Sequence, residues 1–314
     1  MRVLVTGGAG FIGSAFVRLL LEKKPGDELV VFDKVTYAGR LESLKGLKRK
    51  IELVKGDVAS KADLGKVGKV DLVFNFAAES HVDNSVSTPE PFVKSNCLGV
   101  FNLLEFARKN DLEKFVQVST DEVYGSTKKG SFTEESQLNP SSPYSATKAS
   151  GDLLCHAYHK TYGLPVVVTR SSNNYGPRQF PEKLIPRMIV NALRNKPLPV
   201  HGTGEYVRDW TYVLDNCEAI ELVSRKGAPG EVYNIASNDE RSNIEVVKFI
   251  LEELKKPESL IDFVANRPGQ DYRYSLDSGK ARGLGWAPKV SFEDGLRQTI
   301  KWYVENEAWW KPLA

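Results

Sequence analysis

The sequence predicts an α/β protein: a doubly wound parallel sheet followed by a smaller C-terminal α/β domain. Three observations carry this. Short β-branched runs alternate with stretches of helical periodicity through the first half of the chain. The first run, Arg2 to Thr6, leads straight into the glycine turn Gly7-Gly8-Ala9-Gly10-Phe11-Ile12-Gly13, and the second ends in Asp33. Past Pro177 the pattern changes to helices joined by irregular links rich in Pro and Gly.

A length of 314 residues suits about two domains. The expected division gives residues 1–177 to the sheet domain, with a returning segment near 206–238, and residues 178–205 and 239–314 to the second domain. The formal charge is only +3 with both signs interspersed, and Lys48-Arg49-Lys50 reads as a solvated loop, so no nucleic-acid partner is expected. Cys97, Cys155 and Cys217 lack the spacing of a zinc site or a disulfide framework, which fits a reducing cytoplasm and no metal. The chain begins on a strand without a charged leader, and no apolar run approaches the ~18 residues of a membrane span. A soluble, cytoplasmic protein is the expectation.

In the glycine turn, Gly7, Gly10 and Gly13 have G-x-x-G-x-x-G spacing, and Ala15, Phe16, Leu19 and Leu20 continue with helical period. Without a Cβ the backbone can approach a pyrophosphate at a helix N-terminus, which makes Gly7, Gly10, Phe11, Ile12 and Gly13 candidate dinucleotide contacts. Asp33 stands twenty positions after Gly13, where a carboxylate can accept both ribose hydroxyls of an adenosine. The same charge repels a 2′-phosphate, so NAD is expected over NADP. A third strand, Ile51 to Val54, ends in Gly56-Asp57-Val58, placing Asp57 and Val58 at the adenine edge. A fourth, Leu72 to Phe76, ends in Ala77-Ala78, small enough for a cofactor to lie close or simply for tight packing. The polar loop Glu79 to Asn84 suits a turn before the next helix, and His81 has no second ligand at a metal-binding spacing. Phe92 to Lys109 shows helical periodicity, with Asn96 inside it.

The run Phe115 to Val118 opens onto Ser119-Thr120-Asp121-Glu122, and Tyr144-Ser145-Ala146-Thr147-Lys148 follows. Residues four apart share a helix face, so the Lys148 ammonium is expected beside the Tyr144 phenol. A free phenol has a pKa of about 10, and a neighbouring cation favours the phenolate as a base. An Asp-Glu pair can instead simply mark a turn N-terminus. A strand from Leu164 to Thr169 brings Asn173 to the same edge; helices around 183–195, 243–254 and 292–305 and a strand near 232–236 complete the pattern.

Gly7-x-x-Gly10-x-x-Gly13, Asp33, Thr120 and Tyr144-x-x-x-Lys148 together resemble the extended short-chain dehydrogenase/reductase superfamily, whose sheet is the Rossmann sheet. Within it, Thr120-Asp121-Glu122, Ala77-Ala78-Glu79-Ser80-His81-Val82-Asp83, Ser172-Asn173-Asn174-Tyr175-Gly176-Pro177 and Phe180-Pro181-Glu182-Lys183-Leu184-Ile185-Pro186 resemble the nucleotide-diphosphoglucose 4,6-dehydratases. The resemblance implies a lyase that oxidises C4 of the sugar with NAD, eliminates water across C5 and C6, and returns the hydride to C6, with dTDP-glucose the expected substrate. It implies that Tyr144 takes the C4 hydroxyl proton with Lys148 beside it, Thr120 holds the C4 oxygen, Glu122 is the C5 base and Asp121 the acid at O6. Asn96 joins the cofactor set. Ser80, His81, Asp83, Asn173, Lys183, Leu184, Pro199, His201, Arg208, Asn243, Arg267 and Gln270 fall in the substrate set, where Arg208 and Arg267 grip the diphosphate or instead pair with Asp209 and Asp271. A homodimer through two helices per subunit is implied, Phe92 to Lys109 and Tyr144 to Tyr162.

The sequence departs from the pattern at Asn84, where Arg is usual, at His201 for Tyr, and at Gln270 for His; the last two bear on thymidine versus uridine. A 4-epimerase or a UDP-glucuronate decarboxylase of the same superfamily stays open beside the dehydratase. So does a non-catalytic NAD-binding regulator, which should have lost Tyr144 or Lys148.

Overall fold

The computed structural model describes residues 1–47, 50–266 and 271–313, so Arg267, Gln270 and the Lys48-Arg49 part of the basic cluster lie outside the described residues. Six strands come first: β1 (Arg2–Thr6), β2 (Glu28–Asp33), β3 (Glu52–Lys55), β4 (Leu72–Asn75), β5 (Lys114–Thr120) and β6 (Val166–Ser171). Then β7 (Asn173–Tyr175), β8 (Leu198–His201) and β9 (Val207–Tyr212) leave for the smaller part, β10 (Val232–Ile235) returns, and β11 (Glu240–Ser242) and β12 (Ile261–Val264) leave again. The main sheet is seven-stranded in the order β10-β6-β5-β4-β1-β2-β3, and every neighbouring pair is parallel.

Parallel sheets need both faces covered, and the inner strands are correspondingly buried along most of their length, while the edge strand β3 is largely exposed. Alternate residues go to opposite cores. Val3, Val5 and Val31 pack with α1 (Phe11–Lys23) on one side, whereas Leu4, Val30 and Phe32 pack with α2 (Gly99–Asn110) and α3 (Pro143–Tyr162) on the other. The smaller part holds α4 (Leu184–Leu193) against a three-stranded sheet, β11-β9-β7, and a two-stranded one, β12-β8. Helix α5 (Val213–Lys226) then packs back beside α1, while α6 (Asn243–Glu253) and α7 (Phe292–Glu305) close the core of the smaller part around Ile189, Trp210, Val247, Leu296 and Tyr303.

Helix α3 begins where a capping box predicts: Ser142 accepts from the amide of Ser145, whose side chain accepts from Ser142, and Pro143 stands at the first helical position. The helix expected over 92–109 is present, but part of it is π-helical. A single turn, Glu90–Phe92, passes into a π-helical stretch, Val93–Leu98, before α2. Periodicity reports which face is apolar, not whether the backbone bonds span four or five residues, and here the wide turn surrounds the buried Asn96. Two strands start later than expected, β3 by one residue and β6 by two. Among the described residues no helix is long and apolar enough to cross a membrane, and all three cysteines are free thiols.

Candidate active site

The strand order reverses between β1 and β4, and a cleft of about 350 Å³ opens there over the carboxyl ends of the strands. At its nucleotide end the glycines answer to contact. Gly7 has φ +65°, and an added Cβ would lie 2.6 Å from the Ala77 nitrogen; at Gly13 it would meet the Gly7 carbonyl at 2.2 Å. Gly10 supplies no side-chain cap to α1, so the first turn carrying Phe11 and Ile12 presents its amides to the cleft. Asp33 accepts from the amides of Ala9 (2.9 Å) and Val35 (2.7 Å), which partly offset the upward pull of burial on its pKa. Asp57 and Val58 line the same end, and the Lys34 ammonium is paired to Asp57 at 2.7 Å. Ala77 and Ala78 line the floor. A negatively charged pyrophosphate fits the helix terminus and a ribose diol fits the carboxylate, so these residues suit an NAD.

Asn96 does not line the cleft. Its Oδ1 accepts from the Glu79 amide (2.9 Å), and its Nδ2 donates to the Glu79 carbonyl (3.1 Å) and the Thr147 hydroxyl (3.0 Å). It clamps the loop after β4 to α3.

The reacting end is built where β5 stops. The Thr120 hydroxyl caps the single 3-10 turn Asp121–Tyr124 by accepting from the Glu122 amide (3.3 Å), and it donates to Asp121 Oδ1 at 3.0 Å. Asp121 is 3% exposed and its Oδ2 has no partner. Burial, then the charge of Glu122, push its carboxyl up to about 8 against the pull of Thr120. Glu122 is also raised by burial, but the cations Lys183 and Arg208 both oppose that shift. Two adjacent carboxyls therefore sit in unequal surroundings, as an acid and a base require.

Tyr144 and Lys148 both line this end. The Lys148 ammonium, one helical turn along from Tyr144, donates to the Val118 carbonyl at 2.6 Å. Burial and the charge of Glu122 push the phenol's pKa upward, with the Thr120 hydroxyl, its hydrogen-bond partner, opposing.

Of the expected substrate residues, Ser80, Asn173, Lys183 and Leu184 line the cleft, the Lys183 ammonium donating to the Ser80 carbonyl at 2.6 Å and Asn173 holding a buried, unpartnered Oδ1. His81 stands at the N-cap position of the short helix Val82–Ser87 without a side-chain cap bond, and Asp83 lies in that helix's first turn, both beyond the lining. Arg208 donates to the carbonyls of Val207, Tyr272 and Asp271 and lies 4.5 Å over the Tyr274 ring, rather than pairing with a carboxylate of Asp209 or Asp271. Pro199 and His201 stand on β8 and Asn243 opens α6, all outside the cleft lining. His201 Nδ1 lies 2.7 Å from the Ala265 carbonyl.

Sequence reasoning missed Tyr37. It follows β2, its ring meets Phe180 edge-on at 5.3 Å, and its hydroxyl donates to Glu182 at 3.4 Å, bridging the two sides of the cleft. A strand-end loop after Asp33 was the available signal, since ligands in such folds sit against those loops.

An anion-binding glycine turn with an acidic strand end, sharing a cleft with a tyrosine, a hydroxyl and two carboxyls, defines a dinucleotide-dependent enzyme that performs acid–base chemistry on a second ligand. The chain belongs to the NAD-dependent epimerase/dehydratase family of the extended short-chain dehydrogenases, its residues 4–299 matching the family model described as GDP-mannose 4,6 dehydratase. It is 47% identical over 322 residues to a dTDP-glucose 4,6-dehydratase of Streptomyces niveus, covering 100% of this chain and 96% of that one. It is 49% identical over 312 residues to the low-salt glycan biosynthesis protein Agl12 of Haloferax volcanii, covering 98% and 100%. The crystal structure of the dTDP-glucose 4,6-dehydratase DesIV of Streptomyces venezuelae, with NAD bound, superposes with a TM-score of 0.97 at 47% identity over all of both chains.

Proposed function

We propose that this protein is an NAD-dependent dTDP-glucose 4,6-dehydratase, a hydro-lyase that converts the sugar to its 4-keto-6-deoxy form. The observation that carries the reading is the Asp121-Glu122 pair, two carboxyls of unequal surroundings facing the same cleft as Tyr144. A 4-epimerase needs only oxidation and hydride return, so it has no use for this acid and base; the decarboxylase pattern lacks the Asp.

When bound, NAD supplies the hydride acceptor at C4 and the donor at C6. Gly7, Gly10, Phe11, Ile12, Gly13, Asp33, Asp57, Val58, Ala77 and Ala78 would hold it, and Asn96 fixes the loop after β4. The Tyr144 oxygen receives the C4 hydroxyl proton while Thr120 orients that oxygen. Once C4 is a ketone the C5 proton is acidic; Glu122 removes it, and Asp121 protonates O6 so that it leaves as water. Lys183, Asn173 and Arg208 are the groups for the diphosphate and sugar, guanidinium and ammonium donors suiting phosphate oxygens. Ser80, Leu184 and the more distant Pro199, His201 and Asn243 complete the substrate side.

The division into a dinucleotide domain and a discontinuous substrate domain is supported by the core of the smaller part, which is separate from the cores on the two faces of the main sheet. A homodimer through α2 and α3 is supported by the exposed apolar Val93, Leu98, Leu153 and Tyr162 on and before those helices. Free thiols suit the cytoplasm. The test is to incubate the protein with dTDP-glucose and with UDP-glucose and follow the 4-keto-6-deoxy sugar by its absorbance in base. Formation from dTDP-glucose supports the reading; a product that keeps its C6 hydroxyl refutes it.

A further inference from the structure

A hydride that is taken from C4 and given back at C6 makes a demand that an ordinary dehydrogenation does not: reduced cofactor that left between the two steps would strand the ketone. Retention of the dinucleotide is therefore part of the reaction, and side chains join the two walls of the cleft at two places. Residues 34–39, which follow the Asp33 carboxylate, form one wall; residues 179–185, which lead into α4, form the other. Tyr37 reaches from the first wall to the second. Its hydroxyl donates to Glu182 Oε1 at 3.4 Å and accepts from Asn84 Nδ2 at 3.5 Å, and its ring meets Phe180 edge-on with the centroids 5.3 Å apart. The other join is the Lys183 ammonium on the Ser80 carbonyl at 2.6 Å.

We propose that Tyr37, with Glu182 and Phe180, is a strap that holds the cleft closed over the dinucleotide between oxidation at C4 and reduction at C6. This rests on the dehydratase reading. Tyr37 is a positioning residue here: it touches none of the reacting groups, and acts by keeping the nucleotide-side loop against the loop that precedes α4. One hydroxyl ties three segments together, because it donates to Glu182 while it accepts from Asn84 in the short helix Val82–Ser87. Burial, then the charge of Glu182, pushes the phenol's pKa up, so the hydroxyl keeps the proton it donates.

The strap is also able to open. Tyr37 is 46% exposed, and the bonds to Glu182 and to the Ser80 carbonyl both lie at the solvent-facing rim of the cleft. One such hydrogen bond and one edge-on ring pair together shift an equilibrium by roughly 10-fold to 100-fold. That is enough to slow escape of the dinucleotide beyond the time of a turnover and too little to prevent its entry when the protein is first loaded. Closing loops of this kind commit a bound ligand to reaction.

The experiment loads the protein with NADH, adds excess NAD by rapid mixing, and reads the release rate from the fall in bound NADH fluorescence. Tyr37→Phe, which removes one exposed oxygen and should fold as the wild type does, is expected to release NADH roughly 10 times faster. Tyr37→Ala, which also removes the ring, should release it up to about 100 times faster. Glu182→Ala should match Tyr37→Phe, and Glu182→Gln, which keeps an acceptor oxygen, should stay within about threefold of the wild type. Tyr37→Phe combined with Glu182→Ala should be no faster than either alone, since both break the same bond. During turnover of dTDP-glucose, Tyr37→Ala should lose rate with time, shed a 4-keto sugar that keeps its C6 hydroxyl, and regain rate when NAD is added in excess. Wild-type release rates in Tyr37→Phe and Tyr37→Ala, or additive effects in the double variant, overturn the strap while leaving a product-forming wild type a dehydratase. A wild type that makes no 4-keto-6-deoxy sugar overturns the dehydratase reading instead.

Discussion

Asp121 shows how one residue's surroundings fix its chemistry. Its carboxyl is favoured in the protonated form when folded, with a pKa near 8 against an ordinary value of 3.8. A raised carboxyl weakens the fold as pH climbs: the penalty starts in the unfolded carboxyl's range, grows until about pH 8 and is constant above. Asp121→Asn, which carries no charge, should therefore raise the stability of the ligand-free protein by more than about 1 kcal/mol at pH 9 and by clearly less at pH 5, measured by urea unfolding at the two pH values. An equal gain at both would show that the carboxyl is not perturbed. Gly13 is a second single-residue case. A Cβ there would meet the Gly7 carbonyl at 2.2 Å, backbone against backbone, so Gly13→Ala should cost about 1 to 3 kcal/mol of stability. By opening the glycine turn it should also weaken NAD binding at least about tenfold, or ~1.4 kcal/mol, read by titration. Both residues were legible in the sequence because their signals are local: spacing for the glycine, a hydroxyl and two acids at a strand end for the carboxyl. The direction in which Lys148 points was not, because the Val118 carbonyl that takes its ammonium lies thirty residues away in the chain.

At the scale of elements, the alternation of strands and helices was legible throughout, since burial on both faces of a parallel sheet imposes continuous apolar runs. What escaped was the π-helical stretch, Val93–Leu98. Asn96 sits within the π-helical stretch, and both ends of its amide are spent on the Glu79 backbone and Thr147, which ties the loop after β4 to the helix bearing Tyr144. A sequence can show that a polar residue interrupts an apolar face; it cannot show that the partners are a backbone seventeen residues earlier and a hydroxyl fifty-one later. Asn96→Ala strands those buried groups and should cost about 2 kcal/mol. Because the loop it holds lines the cleft, the substitution should also raise the KM for the sugar nucleotide more than it lowers kcat. An unchanged KM would mean the clamp serves stability alone.

Across the whole molecule, cores on the two faces of the sheet and a core in the smaller part leave a cleft between a nucleotide-binding sheet edge and that smaller α/β part, so the cofactor end and the acid–base end are set by different segments of the same chain. The apolar residues left on and before α2 and α3 predict a dimer, so light scattering at micromolar concentration should give about twice the 35.0 kDa of the chain; a monomer would count against that interface. The central claim, that one active site oxidises C4 and reduces C6 of the same sugar, is tested most directly by supplying dTDP-glucose deuterated at C4. The account predicts a 4-keto-6-deoxy product carrying that deuterium in its C6 methyl group, with no net NADH formed. Deuterium found at C4 of a product that retains its C6 hydroxyl, with the C4 centre inverted, would contradict it.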